Sequence, residues 1–293
     1  AAAALAGLGN SVFHPADFTV LNRHVSHPRL GHAFSVHGLS GNLGWAVAPL
    51  LLTTIAAAAN WRMAALVAAL VALPAMYLLW RNRALLDTGH AAHATKAATH
   101  GTFDFLKVGA VWLCFLFFLL ITTAFGAIQN FATPILQNLY GLPLAVAAGA
   151  LSTYLLAGAG GILIGGFLAQ KKANDRLIAV VLTIAALLAV VLALEVVPGW
   201  AVLPLMAGIG FFTGLAGPSR DLLVRKAATA RFGQAAYGRI YGFVYSGLDT
   251  GLAISPLVFG GYMDHRQFAT VLIGIALLQG AAILTALKVG REA

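Results

Sequence analysis

A histidine and an aspartate lie three residues apart in an apolar stretch near the start of the chain. Residues at this spacing share one face of a helix, so His14 and Asp17 are predicted to be neighbours. Histidine can take up and release a proton near neutral pH. Ionisable groups inside an apolar helix are costly unless they are paired or hydrated. We interpret the pair as a candidate proton site; a structural pair that fixes helix packing is the alternative.

His37 belongs to the next apolar stretch. It shares a predicted helix face with Ser40, Gly41 and Gly44. Small residues let helices approach closely, so this face is predicted either to be a close helix contact, with His37 hydrogen-bonded inside it, or to be part of a transport pathway.

Asn42 and Asp249 occupy matching places in two similar segments. Residues 42–50 and 249–257 agree at a glycine, an alanine, a proline and a leucine, at a constant offset of 207 residues. Because an acid in the middle of an apolar helix is hard to explain by packing alone, Asp249 is a candidate substrate or proton site.

Four further polar residues complete the candidate set. Arg220 and Asp221 are adjacent and are interpreted as an interfacial or gate ion pair, although a guanidinium also matches a phosphonate anion. Gln129 and Asn130 are uncharged and can hydrogen-bond a substrate or hydrate a cavity. Five glycines between residues 158 and 166 are interpreted as a close helix contact and not as a ligand-binding loop.

The composition places these residues in membrane helices. Of 293 residues, 60% are hydrophobic and 9% charged, whereas soluble domains carry about 25% charged residues. Apolar stretches of roughly 20 residues recur, and each can cross a bilayer as a helix. The sequence therefore predicts an all-α, polytopic membrane protein. The nine predicted spans are 1–22, 31–57, 61–80, 105–137, 144–169, 176–196, 199–224, 237–262 and 267–288.

The basic residues predict the orientation of these spans. Sixteen of the 18 lysines and arginines fall on one side of the nine-span arrangement, and only Arg62 and Arg266 fall on the other. By the positive-inside rule this predicts a multi-pass protein of the plasma (inner) membrane with a cytosolic C-terminus. The net charge of +9 is thereby explained without nucleic acid. Three histidines in the predicted linker are expected to be solvated and not to bind metal: His90, His93 and His100.

The matching segments extend into an internal repeat. Spans one to three correspond to spans seven to nine in the same membrane orientation, as in transporters built from two parallel halves. The second copy is preceded by three more spans, so we expect three helices, about 100 residues, before Ala1. The expected organisation is an incomplete N-terminal bundle over 1–80, a cytosolic linker over 81–104 and a six-helix bundle over 105–293.

Two six-helix halves with a cytosolic linker resemble the major facilitator superfamily. Residues 9–17 with 34–45, and residues 217–221 with 238–249, are similar to its fosmidomycin-resistance branch. The resemblance implies a major facilitator fold, of which nine of twelve helices are present, and proton-coupled efflux of drugs or antibiotics. Gln170 stands where the superfamily usually has an acid, which puts a gating contact there in doubt.

The sequence also leaves other functions open. An importer of sugars, peptides or organic anions would use the same fold, and fold alone does not choose the substrate. Residues 38–41 match the Gly-x-Ser-Gly string of intramembrane serine proteases, a weak signal, so an enzyme is not expected. A truncated product without activity is a further alternative. No cofactor or metal is predicted; the expected partners are a small molecule, protons and the lipid bilayer, without nucleic acid or an obligate protein partner.

Overall fold

The computed structural model describes residues 2–87, 103–169, 174–232 and 237–292, and within them every regular element is helical. The helices are α1 (Ala2–Ser11), α2 (Phe13–His24), α3 (Leu30–Ala58), α4 (Trp61–Arg81), α5 (Arg83–Leu86), α6 (Gly109–Tyr140), α7 (Leu144–Leu168), α8 (Asp175–Ala193), α9 (Val202–Phe232), α10 (Tyr237–Asp264) and α11 (Phe268–Glu292). Short 3₁₀ turns cover His27–Arg29, Asp104–Lys107 and Gly199–Ala201.

Seven of the described helices, α4 and α6 to α11, are long and apolar enough to cross a membrane. The expectation of an all-α, polytopic protein is thereby confirmed. With 29 residues, α3 is about 44 Å long and also has the length to cross. His90, His93, His100 and Gln170, on which two of the expectations rest, lie outside the described residues.

The first predicted span is interrupted at Val12, between α1 and α2. Pro15 has no N–H to donate to the carbonyl of Ser11, which removes one hydrogen bond of a continuous helix. The Ser11 hydroxyl instead donates back to the carbonyl of Leu8, at 2.8 Å. The predicted span over 1–22 is thus made of two short helices, with Val12 between them still in a right-handed helical conformation. The interruption leaves His14 in the first turn of α2.

Local sequence explains where several helices begin and end. Asn60 and Asn174 cap α4 and α8, since each side-chain oxygen accepts from the backbone N–H three residues later, at 3.0 and 2.9 Å. Gly141 takes a left-handed conformation (φ 62°) that ends α6, and Pro143 precedes α7. These signals make tight turns between consecutive helices.

The helices of the second half form the core. α6 packs on α10 and α11, α8 on α9 and α11, and α7 on α9. The helices α1 to α5 form a first group, and α6 to α11 form a second. The two groups meet where α2 packs on α10 and where α3 packs on α7 and α9. Phe18, Leu30 and Phe34 carry this junction, because they are buried in the same apolar cluster as residues of α6, α9 and α10.

Candidate functional site

Two histidines flank one carboxylate at the junction of α2 and α3. Asp17 Oδ2 lies 3.5 Å from Nδ1 of His14, one turn away on α2, and 3.2 Å from Nε2 of His37 on α3. The three side chains are 23%, 17% and 22% exposed for His14, Asp17 and His37 respectively. The other carboxylate oxygen, Oδ1, accepts a hydrogen bond from the backbone N–H of Phe18 at 2.5 Å. That bond fixes the carboxylate and turns Oδ2 toward the two imidazoles.

Aromatic rings surround the His14–Asp17–His37 cluster. The ring of Tyr245 lies 4.6 Å from that of His14, and the ring of Phe18 lies edge-on to that of His37 at 5.3 Å. Phe13 lies 5.2 Å from His14. These rings exclude water from one side of the cluster, so charge interactions inside it are screened less than at a free surface.

Tyr245 connects this cluster to the predicted ion pair on α9. Its hydroxyl donates to Oδ1 of Asp221 at 3.1 Å. Arg220 donates from Nε to the same oxygen at 2.9 Å and from Nη2 to Oδ2 at 3.3 Å, and its guanidinium lies 4.6 Å above the ring of Phe118 on α6. Asp221 is therefore buried with two partners, one on its own helix and one on α10.

The arrangement leaves little room for a substrate at Arg220. The cavity beside it, lined also by Cys114, Phe117 and Phe118, measures about 10 Å³, roughly enough for one water molecule. The two charges also compensate each other. This geometry fits the ion-pair interpretation of Arg220 and Asp221 better than capture of an anion.

Four helices thus contribute to one continuous network. His14 and Asp17 come from α2, His37 from α3, Asp221 from α9 and Tyr245 from α10. Tyr241 adds a second link, because its hydroxyl lies 3.3 Å from the side-chain amide of Asn22 on α2. The network spans the boundary between the two copies of the repeat.

Asp249 lies apart from this network but on a related surface. Gly238 and Gly242 of α10 face Pro15 of α2. A Cβ built at Gly242 would lie 3.3 Å from Cγ of Pro15. Asp249 is seven residues further along α10, about two turns on the same face. Its side chain is exposed. Among the described residues, its carboxylate makes no hydrogen bond or ion pair.

The uncharged candidates line the gap between α3 and α6. Trp45 and Phe125 approach edge-to-face across it, with ring centroids 6.3 Å apart. Asn42 is one turn before Trp45, and Gln129 one turn after Phe125, so both lie on the facing surfaces. Asn42 donates to the carbonyl of its own helix at Gly38, at 3.0 Å.

Asn130 is exposed and points back to its own helix. Its amide donates to the carbonyl of Gly126 at 2.7 Å. The structure therefore places Asn42, Gln129, Asn130 and Asp249 outside the His14–Asp17–His37 cluster, whereas it brings His14, Asp17, His37, Arg220 and Asp221 into one chain of contacts.

The predicted glycine contacts have different outcomes. In α7, side chains at Gly161 and Gly165 would collide with the backbone of α9, and one at Gly166 would collide with Ser35 of α3, so this interpretation is confirmed for those positions. On α3, a Cβ at Gly41 or Gly44 meets no atom within 4 Å among the described residues. The alternative of a close contact along that face therefore stays a prediction; among the described residues, α3 meets α7 through other positions, such as Gly31 and Ser35.

Tyr245 and Tyr241 are members of the network that sequence reasoning missed. At the repeat offset of 207 residues, Tyr245 corresponds to Gly38, and a glycine gives no indication of a phenol at the matching position. A usable signal was present: Tyr241, Tyr245 and Asp249 are spaced four residues apart, and three polar groups at this spacing on an apolar helix indicate polar neighbours. The pairing of Asp17 with His37 had no such signal, since it joins two helices.

The fold and the site define a polytopic helical membrane protein with an ionisable network where its two repeats meet. A family model described as Major Facilitator Superfamily matches residues 1–256, so the chain belongs to this family. Its members are transporters and not enzymes, which makes this chain a secondary transporter. Ser40 agrees with this, because its hydroxyl donates to the backbone carbonyl of His37, not to an imidazole. No curated protein matches the chain.

Proposed function

We propose that this protein exports small molecules, drugs among them, across the plasma membrane in exchange for protons. The observation that supports the proposal is the network from His37 through Asp17, His14 and Tyr245 to Asp221. It joins α2 and α3 of the first repeat copy to α9 and α10 of the second. These contacts would break if the helix group α1 to α5 moved away from the group α6 to α11.

The proposed mechanism is alternating access, and this arrangement supports it. When α2 and α3 stay against α9 and α10, the aromatic rings of Phe18 and Tyr245 close one end of the space between the two groups, with ring centroids 4.8 Å apart. When α2 and α3 move away from α9 and α10, the end closed by Phe18 and Tyr245 opens. The surfaces that carry Asn42 on α3 and Gln129 on α6 then approach each other. A substrate held beside those two amides would then be exposed to opposite sides in turn.

Asp249 is the proposed proton site. Its carboxylate is exposed on the face of α10 that continues from the contact with α2. Binding a proton there removes a charge from the space between the two groups, which favours the state in which that space is less hydrated. His14 and Asp17 stay a predicted proton pair. The excess of Lys and Arg on one side supports a cytosolic C-terminus.

Everted membrane vesicles test the proposal. Respiration acidifies their interior, and a proton-coupled exporter releases those protons when drug is added outside; a pH-sensitive dye follows the change. We expect drug-dependent release with the wild type and its loss in Asp249→Asn. Asp264→Asn is the matched control, because Asp264 is an exposed acid at the end of the same helix.

Three outcomes contradict parts of the proposal. Full proton release by Asp249→Asn rejects Asp249 as the proton site. Drug transport by the wild type without proton release rejects proton coupling. Movement of drug out of everted vesicles, against the expected direction, makes the protein an importer.

A further inference from the structure

We infer that His14, Asp17 and His37 form a binding site for one divalent transition-metal ion, with Zn²⁺ as the best-fitting case. The inference goes beyond the proposed function and does not depend on it. Three observations carry it: the spacing of the donor atoms, the lack of hydrogen bonds at two of them, and the chemistry of the donor set.

The donor atoms have the spacing of metal ligands. One atom from each of His14, Asp17 and His37 lies within 4.8 Å of the other two. Ligands bound at about 2.0–2.1 Å to a tetrahedral zinc ion lie about 3.3 Å from one another. The two contacts of Asp17 Oδ2, 3.5 Å to His14 Nδ1 and 3.2 Å to His37 Nε2, bracket this value.

Two of the three donor atoms are buried without a hydrogen bond. His14 Nδ1 and Asp17 Oδ2 have no hydrogen-bond partner in the described part of the chain, although they are shielded from solvent. A buried polar atom without a hydrogen-bond partner is costly, and such atoms call for an explanation such as a bound ion. One cation between the three side chains satisfies both atoms at once.

The donor set selects the class of ion. Two imidazoles and one carboxylate suit Zn²⁺, Fe²⁺, Co²⁺ or Ni²⁺, whereas Mg²⁺ and Ca²⁺ prefer oxygen ligands only. Three protein ligands leave a fourth coordination position for water or another small ligand. The cluster is also reachable, since each of its side chains keeps about a fifth of its surface exposed.

The site would join two helices beside the junction of the repeats. His14 and Asp17 come from α2 and His37 from α3, and the ring of His14 lies against Tyr245 of α10. A bound ion therefore holds α2 and α3 in a fixed relation next to the surface at which the two groups meet.

Cobalt titration of the purified, metal-stripped protein tests the inference. Co²⁺ in a tetrahedral site has strong visible absorption that Co²⁺ in water lacks. The background carries His90, His93 and His100 as alanine and has no histidine tag, so that other histidine clusters do not contribute. We expect one saturable Co²⁺ per chain, displaced by one equivalent of Zn²⁺.

Substitutions assign the ligands. His14→Ala, Asp17→Asn and His37→Ala should each weaken Co²⁺ binding more than about 100-fold, because loss of a ligand exceeds the 10–100-fold effect of losing an outer-shell partner. His32→Ala is the matched control. This histidine is also on α3, but its ring packs edge-on against Phe167 at 4.9 Å, so binding should be unchanged.

Zinc-edge X-ray absorption on the same background, with His14, Asp17 and His37 unchanged, gives an answer that needs no ligand variant to fold. We expect two imidazole nitrogens and at least one oxygen around the zinc. An all-oxygen shell, absence of a saturable cobalt spectrum, or wild-type affinity in His37→Ala would each overturn the inference. None of these results bears on proton release from the vesicles, so the two proposals fail separately.

Discussion

The two copies of the repeat, α2–α4 and α9–α11, share a sequence pattern but differ in how they are covered. A Cβ at Gly251 of α10 would collide with Leu119 and Thr122 of α6, whereas a Cβ at the matching Gly44 of α3 would meet no described atom within 4 Å. The third helices differ in the same way, since 44% of the apolar stretch of α11 is buried but only 6% of that of α4.

The difference teaches that a repeated pattern fixes helix type and not helix environment. α10 and α11 are buried because α6 and α8 pack on them. Among the described residues, no pair of helices covers both α3 and α4: α7 and α9 pack on α3, whereas α4 packs on its neighbours α3 and α5. The charged groups differ as well: the second copy pairs Arg220 with Asp221 within α9. In the first copy, Asp17 approaches His14 within α2 and also His37 on α3.

The largest effect is expected where the second copy buries its charge pair. Asp221→Ala leaves the guanidinium of Arg220 without its carboxylate, and removing one partner of a buried pair is strongly destabilising. We expect a loss of about 3 kcal/mol in the free energy of unfolding, at the low end of such losses because Arg220 is partly exposed. Unfolding by denaturing detergent, followed by tryptophan fluorescence, measures it.

An exposed ion pair provides the control for that loss. Lys107 lies 2.8 Å from Asp104, but its side chain is 81% exposed, so Lys107→Ala should cost less than about 1 kcal/mol. Equal losses in the two variants would mean that the pair in α9 is not a buried one.

A matched pair of glycine substitutions tests the difference in covering directly. Gly251→Ala places a methyl group against Thr122 and the backbone of Leu119, and such overpacking costs about 2 kcal/mol. Gly44→Ala meets open space and should stabilise α3 by up to about 1 kcal/mol, because alanine favours a helix over glycine. Opposite signs in the same unfolding assay are the expected result for the 293-residue chain.

The same pair tests the three helices expected before Ala1. A helix packed on α3 as α6 packs on α10 would meet Gly44. In a longer protein that carries those helices, Gly44→Ala should then become as costly as Gly251→Ala. If it stays stabilising there, the symmetry between the two halves does not extend to this contact.

Sequence alone predicted the helices well and the site in part. Hydrophobic length defined the spans, and the i to i+3 spacing placed His14 beside Asp17, because both depend on local chain geometry. The sequence could not predict the approach of His37 to Asp17, because that contact depends on how α3 lies against α2. The role of the face at Gly41 and Gly44 could not be decided for the same reason: small residues permit a close contact but do not supply the partner.

A smaller effect is expected at the phenol that links α10 to α9. Tyr245→Phe keeps the ring against His14 but removes the hydroxyl that donates to Asp221. Hydrogen bonds to charged groups are worth about 1.5 kcal/mol or more, so a loss of about 1.5 kcal/mol is expected. Tyr262→Phe, at an exposed site on the same helix, should stay within about 0.5 kcal/mol of the wild type; a similar loss in both variants would remove the special role of Tyr245.

The smallest effects are expected from loss of the helix caps of α4 and α8, and they show whether each helix unfolds together with the core. Asn60 caps α4 and Asn174 caps α8 through equivalent hydrogen bonds to the backbone N–H three residues on, and replacing either by alanine should cost its helix about 1 kcal/mol. α8 is packed in the core, so Asn174→Ala should lower the free energy of global unfolding by that amount.

α4 is hardly buried, so Asn60→Ala should leave global unfolding unchanged and instead speed hydrogen exchange in the first turns of α4. Equal shifts in global unfolding would show that α4 unfolds together with the core, as its counterpart α11 is expected to do.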